Sequence, residues 1–355
     1  MNNGLFREGG PLRVTRVGSD EYQLRVPIEP GEDGMVGRGC PDDGCVPGYF
    51  KVRPGTGITS PQETVHCPYC YWADRPSSFT TREQREHAVA LVEAEAVDGM
   101  NRMLTQALGL GPSGKRVLGG GSFSIEMSMT PARTRRPGRL LEEELRRDLV
   151  CPHCSLHQAV FGLATWCSDC GTDIFSVHVS AELAVLRAVM NDVADRRARL
   201  GARIAARDIE NTLEDLVSVM EAVLKALTKR HLCAKGLSSG EAGRVIENEI
   251  RSGYQTLSRA RDIFQTQTGA VLGGELPQRE FAELSTILEK RHPIAHNLGV
   301  VDRKYLLRVR TGELEGREVR VEFAELASAI DSLEVLLTDA WRQLFPPRSE
   351  SDDSY

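Results

Sequence analysis

The sequence predicts a multidomain protein in which small β-containing modules precede a mainly α-helical bundle that carries one short β-hairpin. Eight of the nine cysteines fall into two groups of four before residue 171, which indicates small modules organised around those groups. From residue 180 onward, apolar residues recur at spacings of three and four, the period of an amphipathic helix. These patterns divide the chain into residues 1–78, 79–147, 148–178 and 180–345, with a polar tail at 346–355.

Composition excludes several classes of protein. The 355 residues are enough for two or three domains, each able to bury a core. The net charge of −6 argues against coating nucleic acid by bulk charge, although a local basic site remains compatible with it. No run approaches the roughly 20 apolar residues of a membrane span, and the N-terminus has no signal pattern. We therefore expect a cytoplasmic protein without membrane contact, whose cysteines bind metal rather than form disulfides.

The first module begins with alternating apolar residues from Leu12 to Ile28, interrupted at Gly18-Ser19-Asp20, which predict a β-hairpin. The first cysteine group follows as two pairs, Cys40 with Cys45 and Cys67 with Cys70. Four and two residues separate the members of these pairs, as in zinc knuckles, so the group predicts a tetrahedral Zn²⁺ site. Buried or reactive thiols, or a disulfide, are the alternative, and the neighbouring His66 could replace one cysteine as a ligand.

A helix is predicted next. Thr80 and Thr81 are each followed three residues later by Glu83 or Gln84, which is the pattern of a capping box. The helix is expected to run through Leu108. Its apolar residues are the candidates for its buried side: Ala88, Leu91, Val92, Met100, Met103, Leu104 and Leu108.

Residues 109–115 match the phosphate-binding pattern G-x-x-x-x-G-K. However, Arg116 stands where a Ser or Thr should bind magnesium, and the stretch follows a helix rather than a strand. We interpret it as a helix-to-strand turn, followed by a strand with alternating apolar residues at 123–129. The arginine-rich residues 130–139 are interpreted as a solvated linker that could also touch phosphates.

The second cysteine group has the spacing of a zinc ribbon. Cys151 and Cys154 form one C-x-x-C pair, Cys167 and Cys170 form another, and twelve residues lie between them. This spacing predicts a second Zn²⁺ site with four thiolate ligands. Ribbons bind nucleic acid, bind protein or brace a fold, and the sequence does not choose among these roles.

Residues 180–345 predict the helical bundle. Apolar stripes indicate helices near 183–193 and 209–227, a third over about 240–267, and a fourth that starts at Pro277. A last helix covers 326–344, and the acidic tail after it is expected to be disordered. Alternating apolar residues predict a short hairpin around Thr311-Gly312: Leu307, Val309, Val319, Val321 and Phe323.

The fourth helix leads into a polar stretch in which Arg291 precedes His296 by five residues. A cation beside a histidine suits cleavage of a phosphodiester, since one stabilises the phosphorane and the other moves a proton. Five residues of ideal helix place the two side chains about 140° apart, so they would not share one face. Pro293 is expected to kink or end the helix at His292. His292 and His296 also have metal-ligand spacing, but Pro293 replaces the expected glutamate and no third ligand is evident.

Arg291-His292-x-x-x-His296-Asn297, followed by Gly299-Val300-Val301-Asp302 and Tyr305, resembles the HEPN superfamily. HEPN domains are α-helical bundles, and many are RNases with an arginine, a polar residue and then a histidine in this order. The resemblance covers residues 180–345, and Pro293 departs from the pattern. Residues 39–70 also resemble bacterial zinc-ribbon modules.

The HEPN resemblance implies metal-independent endoribonuclease activity that produces a 2′,3′-cyclic phosphate and a 5′-hydroxyl. His296 would act as general base or acid, Arg291 would stabilise the phosphorane, and His292 and Asn297 would orient groups or donate hydrogen bonds. It also implies a homodimer with the two motifs facing each other, so that arginine and histidine come from different chains. Both zinc ions would be structural. A toxin or phage-defence effector, restrained by a regulatory protein partner, is the role that the family suggests. The alternative is a non-catalytic HEPN and zinc-ribbon adaptor that binds nucleic acid or protein.

Overall fold

The computed structural model describes residues 5–7, 10–18, 21–58, 62–111, 114–119, 124–132, 147–309 and 312–346. About 51% of the structure is helical, and its small sheets are antiparallel, so the predicted mainly α C-terminal region and the small β modules are both confirmed at this level. Two hydrophobic cores are present, one formed by the helices after residue 175 and one around the cysteines.

A four-stranded antiparallel sheet contains segments from both cysteine regions. Its strands are β3 (Val36–Gly39), β4 (Tyr49–Val52), β9 (Arg147–Val150) and β10 (His157–Val160), in the order β3-β4-β10-β9. Val52 on β4 pairs with Gln158 on β10, and this register joins the two halves. Residues 36–52 and 147–160 therefore form one sheet over one core.

Three smaller hairpins accompany this sheet. The predicted N-terminal hairpin is present as β1 (Arg13–Arg16) paired with β2 (Tyr22–Arg25). β5 (Val65–His66) pairs with β6 (Ala73–Asp74), and β7 (Lys115–Leu118) pairs with β8 (Ile125–Ser128). The strand predicted at 123–129 is thus confirmed for its described part. The turn at 109–115 leads from a helix into β7, and the arginines at 133–139 lie outside the described residues.

The first helix, α1 (Arg82–Ala107), begins at Thr81, whose hydroxyl and the Gln84 side chain form the predicted capping box. Its predicted buried side is wrong in its second half, because Met100, Met103 and Leu104 are 48%, 43% and 50% exposed. The helix instead packs through small and polar residues. A Cβ on Gly99 would collide with the carbonyl of Leu5, and Gln84 Nε2 donates to Gly37 O of β3 at 2.9 Å. The residues of α1 that are buried are Gln84, Ala94, Glu95 and Gly99.

The bundle comprises the remaining helices of the described residues. They are α2 (Phe175–Leu200), α3 (Ala202–Ala234), α4 (Ser239–Val245), α5 (Leu257–Thr268), α6 (Gln278–Glu289), α7 (Arg291–Asn297), α8 (Arg303–Leu306) and α9 (Phe323–Leu344). The predicted stripes on α3 and α9 face the core, since Leu213, Leu216, Ile330 and Leu333 are fully buried. None of the described helices combines the length and the apolar character needed to cross a bilayer.

The single helix predicted over 240–267 is broken. α4 passes into a π-helical turn at Ile246–Ile250 and a 3-10 turn at Gly253–Gln255 before α5 begins. The break buries Tyr254, whose hydroxyl lies 2.7 Å from Thr228 Oγ1 of α3. Burying this large hydrogen-bonded side chain offsets the cost of leaving helical geometry, and the break brings Gln255 to the polar stretch after α6.

The hairpin predicted around residues 311–312 does not form in the described residues, and Thr311 lies outside them. Leu307 and Val309 instead follow α8, and the segment after α7 pairs with residues 316–319. Val301 N donates to Arg317 O at 2.8 Å, and Val319 N donates to Gly299 O at 2.7 Å. The tail predicted to be disordered lies, from residue 347 onward, outside the described residues.

Candidate functional site

The candidate site lies where helix α6 ends and helix α7 begins, at Arg291. The break falls at Lys290, whose ammonium is buried against Glu325 at 2.7 Å and Arg320 O at 2.9 Å. Pro293 is the third residue of α7, in the first turn, where a backbone N–H has no helical acceptor to lose. The kink predicted at His292 is therefore located before Arg291, and Pro293 is accommodated within a regular turn.

Arg291 is directed into the bundle. Its Nη1 donates to Gln255 Oε1 at 3.2 Å, and Gln255 Nε2 donates to Glu221 Oε2 of α3 at 2.9 Å. Glu221 also pairs with Lys225 at 2.6 Å. Arg291 Nε is buried and has no hydrogen-bond partner within the described residues. The guanidinium is thus oriented from the side of the bundle, with donor capacity left over.

His292 and His296 lie one turn apart on the outer side of α7. Their ring centroids are 5.1 Å apart, edge to face, with His296 exposed and His292 half-buried. Burial lowers the pKa of His292, and the cations of Arg308 and Lys304 lower it further. His292 is therefore neutral at pH 7 and can accept a proton there.

The predicted motif residues do not all meet. Among the described residues, no hydrogen bond or ring contact joins Arg291 to His296, in line with their spacing on the helix. Asn297 donates through Nδ2 to Val300 O at 2.7 Å and closes the turn after α7. Asp302 caps α8 by accepting from Tyr305 N at 2.7 Å.

Sequence reasoning missed the cations that flank the histidines. Lys304 is exposed and makes no ion pair in the described structure, whereas Arg308 contacts Glu289 at 3.3 Å. The four residues from Lys304, in α8, to Arg308, just after it, were a signal that both could share one side. It also missed Gln255, for which the sequence carries no signal because the helix break brings it here.

An exposed leucine follows each of the helices α7 and α8. Leu298 is 91% exposed and Leu307 is 80% exposed, at the ends of α7 and α8. Leu298 ends α7 in the left-handed conformation, with φ of 52°. The chain segments that carry the histidines and Lys304 thus each end in a leucine that is almost fully exposed.

Both predicted cysteine quartets gather into clusters that could hold a metal ion, with all ligand atoms within 4.8 Å of one another. In the first cluster, Cys40 and Cys70 Sγ lie 3.6 Å apart and Cys45 and Cys67 Sγ lie 3.7 Å apart. In the second, the corresponding distances are 3.8 Å (151 to 170) and 3.5 Å (154 to 167). Tetrahedral Zn–S bonds of about 2.3 Å require sulfur atoms about 3.8 Å apart, so both clusters fit.

Burial also affects the ionisation of the cysteines. Burial raises the pKa of Cys167 well above the usual thiol range, so a divalent cation is what would stabilise its thiolate. His66 is not part of the first cluster; its ring stacks on Tyr71 at 5.0 Å instead.

Comparisons with protein-family models, with curated proteins and with solved structures each yield no significant match. The HEPN resemblance therefore rests on the sequence motif alone.

Proposed function

We propose that this protein is a metal-independent endoribonuclease of the HEPN type. The observation that carries the proposal is the pair His292 and His296, with rings 5.1 Å apart and with Lys304 and Arg308 close enough to lower the pKa of His292. Two histidines at this separation can act on one phosphodiester as general base and general acid. The positive charges of the two cations attract the negatively charged phosphate to the histidines.

In the proposed step, a neutral histidine removes the proton of the RNA 2′-hydroxyl, and the 2′-oxygen attacks the adjacent phosphorus. The bond from phosphorus to the 5′-oxygen breaks, and His296 gives that oxygen a proton. A 2′,3′-cyclic phosphate and a 5′-hydroxyl result. His292, neutral at pH 7, takes the base role, and Asn297 closes the turn that follows the helix of the two histidines.

No hydrogen bond joins Arg291 to His296 within the described part of one chain, so we propose that a homodimer completes the site. A second copy would cover Leu298 and Leu307 and offer to the phosphorane the donors of its own Arg291 that its bundle leaves unused. Preorganised positive charge at the phosphorane is the term that such a dimer would add.

Two Zn²⁺ ions, one in each cysteine cluster, complete the proposal as structural elements. They hold the sheet β3-β4-β10-β9 and take no part in cleavage. Coordination by four thiolates leaves no open position for substrate.

The proposal is tested by incubating the zinc-loaded protein with labelled RNA in the presence of EDTA. We expect products with 2′,3′-cyclic phosphate ends from wild type, and a loss of at least 100-fold in His296→Ala and Arg291→Ala. His87→Ala on α1 is the matched control. RNA left intact by wild type, or cut equally by all four proteins, would remove the proposal. Growth inhibition on expression that requires Arg291 would support a toxin or defence role with a restraining partner.

A second candidate is a non-catalytic adaptor that binds a protein partner. The exposed apolar residues on α1 favour it, because Val89, Met100 and Leu104 are each at least 48% exposed. Retained binding of a partner by Arg291→Ala and His296→Ala, without RNA cleavage by any form, would favour the adaptor.

A further inference from the structure

A cleft of about 680 Å³ lies between the first cysteine cluster and helix α3, on a different side of α3 from Glu221. Its walls come from the segment 42–47, the residues Tyr69 to Trp72, the loop that ends at Trp166, and α3 from Ala222 to Ala234, with Leu237, Ser239 and Phe345 at its border. This volume is within the range of small-molecule sites. The cleft is formed by described residues throughout.

One wall of the cleft is aromatic, and its residue Tyr71 has a backbone conformation that is unfavourable for residues other than glycine. Tyr71 follows Cys70 in the knuckle and has φ of +67°. Ser155 and Gly171 follow the second cysteines of the other two C-x-x-C pairs and have φ of +62° and +67°. In all three, the backbone N–H of this residue donates to the carbonyl of the first cysteine of the pair.

In this turn, the residue after the second cysteine therefore adopts the left-handed backbone conformation, which glycine adopts most readily. The first knuckle places a tyrosine there, and its ring packs on Trp166 at 4.5 Å. Trp72, the next residue, leaves 48% of its surface exposed at the cleft. A strained, bulky residue with an exposed tryptophan beside it is expected where the rings serve binding.

Polar side chains that could make further hydrogen bonds or ion pairs also line the cleft. Lys229 lines the cleft from α3 and makes no ion pair within the described residues. Arg230 lies between the Trp166 and Phe345 rings, at 3.9 Å and 4.0 Å, and Asp173 holds its Nη2 at 2.7 Å. Thr165 also lines the cleft, is 4% exposed, and its Oγ1 has no hydrogen-bond partner in the described structure.

Negative charge lies on the opposite wall. Asp42, Cys45 and Cys70 line the cleft from the first module, and a metal bound by four thiolates carries net negative charge. A long polyanion would be repelled there, whereas a small ligand can direct its anionic group to Lys229. The Asp42 carboxylate can accept from N–H donors of that ligand.

We propose that this cleft binds a free nucleoside monophosphate. A nucleobase supplies the flat ring for the exposed Trp72, its amino or imino groups supply donors for Asp42, and one phosphate supplies the anion for Lys229. A bare phosphate would leave the aromatic wall unused, and an apolar ligand would leave Lys229 and Thr165 without partners. The inference is independent of the cleavage site, since it uses no residue of α7 or α8.

The test is calorimetric titration of the zinc-loaded full chain with AMP, GMP, CMP and UMP, supported by tryptophan fluorescence. We expect saturable 1:1 binding of at least one of them, with quenching from Trp72. The corresponding nucleoside should bind at least tenfold more weakly. Lys229→Ala and Trp72→Leu should each raise Kd at least tenfold, whereas Lys235→Ala, the matched charge control, and Arg291→Ala should leave it unchanged.

No saturable binding of any of the four at millimolar concentration overturns the proposal. So does an unchanged Kd in Lys229→Ala and in the charge-reversed Lys229→Glu, both checked for wild-type zinc content and melting. Tighter binding of hexauridylate than of UMP, by tenfold or more, would assign the cleft to an RNA strand instead. Loss of RNA cleavage alone does not bear on this site.

Discussion

Arg291 donates through Nη1 to Oε1 of Gln255 at 3.2 Å, and this bond links the HEPN-like motif to the break between α4 and α5. The two residues are far apart in sequence, and only the irregular backbone at 246–255 brings them together. Gln255 continues to Glu221 at 2.9 Å, so α3 also contributes to the orientation of the guanidinium.

Gln255→Ala is expected to release Arg291. Removal of the amide leaves part-buried donors and acceptors on Arg291 and Glu221 without their partner, which costs about 1–3 kcal/mol. Urea unfolding measures this loss, and the RNA assay should show reduced cleavage because the arginine is no longer oriented. Gln265→Ala on the exposed side of α5 is the control. Equal stability of both variants and wild type would show that the bond is dispensable.

His292 predicts a dependence of stability on pH. Its pKa in the folded protein is lowered by burial and by Arg308 and Lys304, so the unfolded chain binds the proton more tightly. The contribution to stability is therefore complete above the ordinary histidine pKa of about 6.5 and is lost as the pH falls below it. We expect wild type to lose more free energy of unfolding between pH 7.5 and pH 5.5 than His292→Gln does. Equal losses of free energy of unfolding in the two proteins would show that the pKa of His292 is not lowered by folding.

The exposed apolar border predicts self-association. Leu298→Glu and Leu307→Glu place charge in a surface that we expect a second copy to cover, so the dimer should weaken at least tenfold. Light scattering across a dilution series measures this, and the far-UV spectrum should remain that of wild type. Val185→Glu, which changes an exposed apolar residue of α2 in the same way, is the control for added surface charge. A wild type that is monomeric at every concentration would exclude the composite site.

Metal content provides the fourth prediction. Elemental analysis should find about two zinc equivalents per chain, one for each cysteine cluster. Cys151→Ser should lose one equivalent and lower the melting temperature of the whole sheet, because β10 connects the two halves. Cys233→Ser, a substitution outside both clusters, should keep both equivalents. Zinc near zero in wild type purified under reducing conditions would refute the metal sites.

The elements that could be predicted from sequence are those with local causes. Each C-x-x-C turn, Cys151 with Cys154 and Cys167 with Cys170, gathers its own two thiols locally, and the short segment between the turns lets the two pairs meet. The capping box at Thr81 and the stripe on α3 are equally local, because hydrogen bonding over three residues and helical periodicity decide them.

The elements that could not be predicted depend on distant partners. The second half of α1 packs where Leu5 approaches Gly99, while Met100, Met103 and Leu104 stay exposed, and no periodicity of apolar residues indicates such a contact. The break at 246–255 follows from burial of Tyr254 against Thr228. At the candidate site, the motif indicated Arg291 and the histidines, but the orientation of the arginine depends on that break.

The pairing of Val52 with Gln158 has a consequence for how the protein is made. On the ribosome, the first cysteine quartet is complete once Cys70 has emerged, yet strand β4 still lacks the neighbour that β10 provides. The β3-β4 pair therefore keeps one edge open until residues 147–160 have been translated. Contacts of such long sequence separation form slowly, and a zinc ion bound at the first quartet would hold this edge in place until β10 arrives.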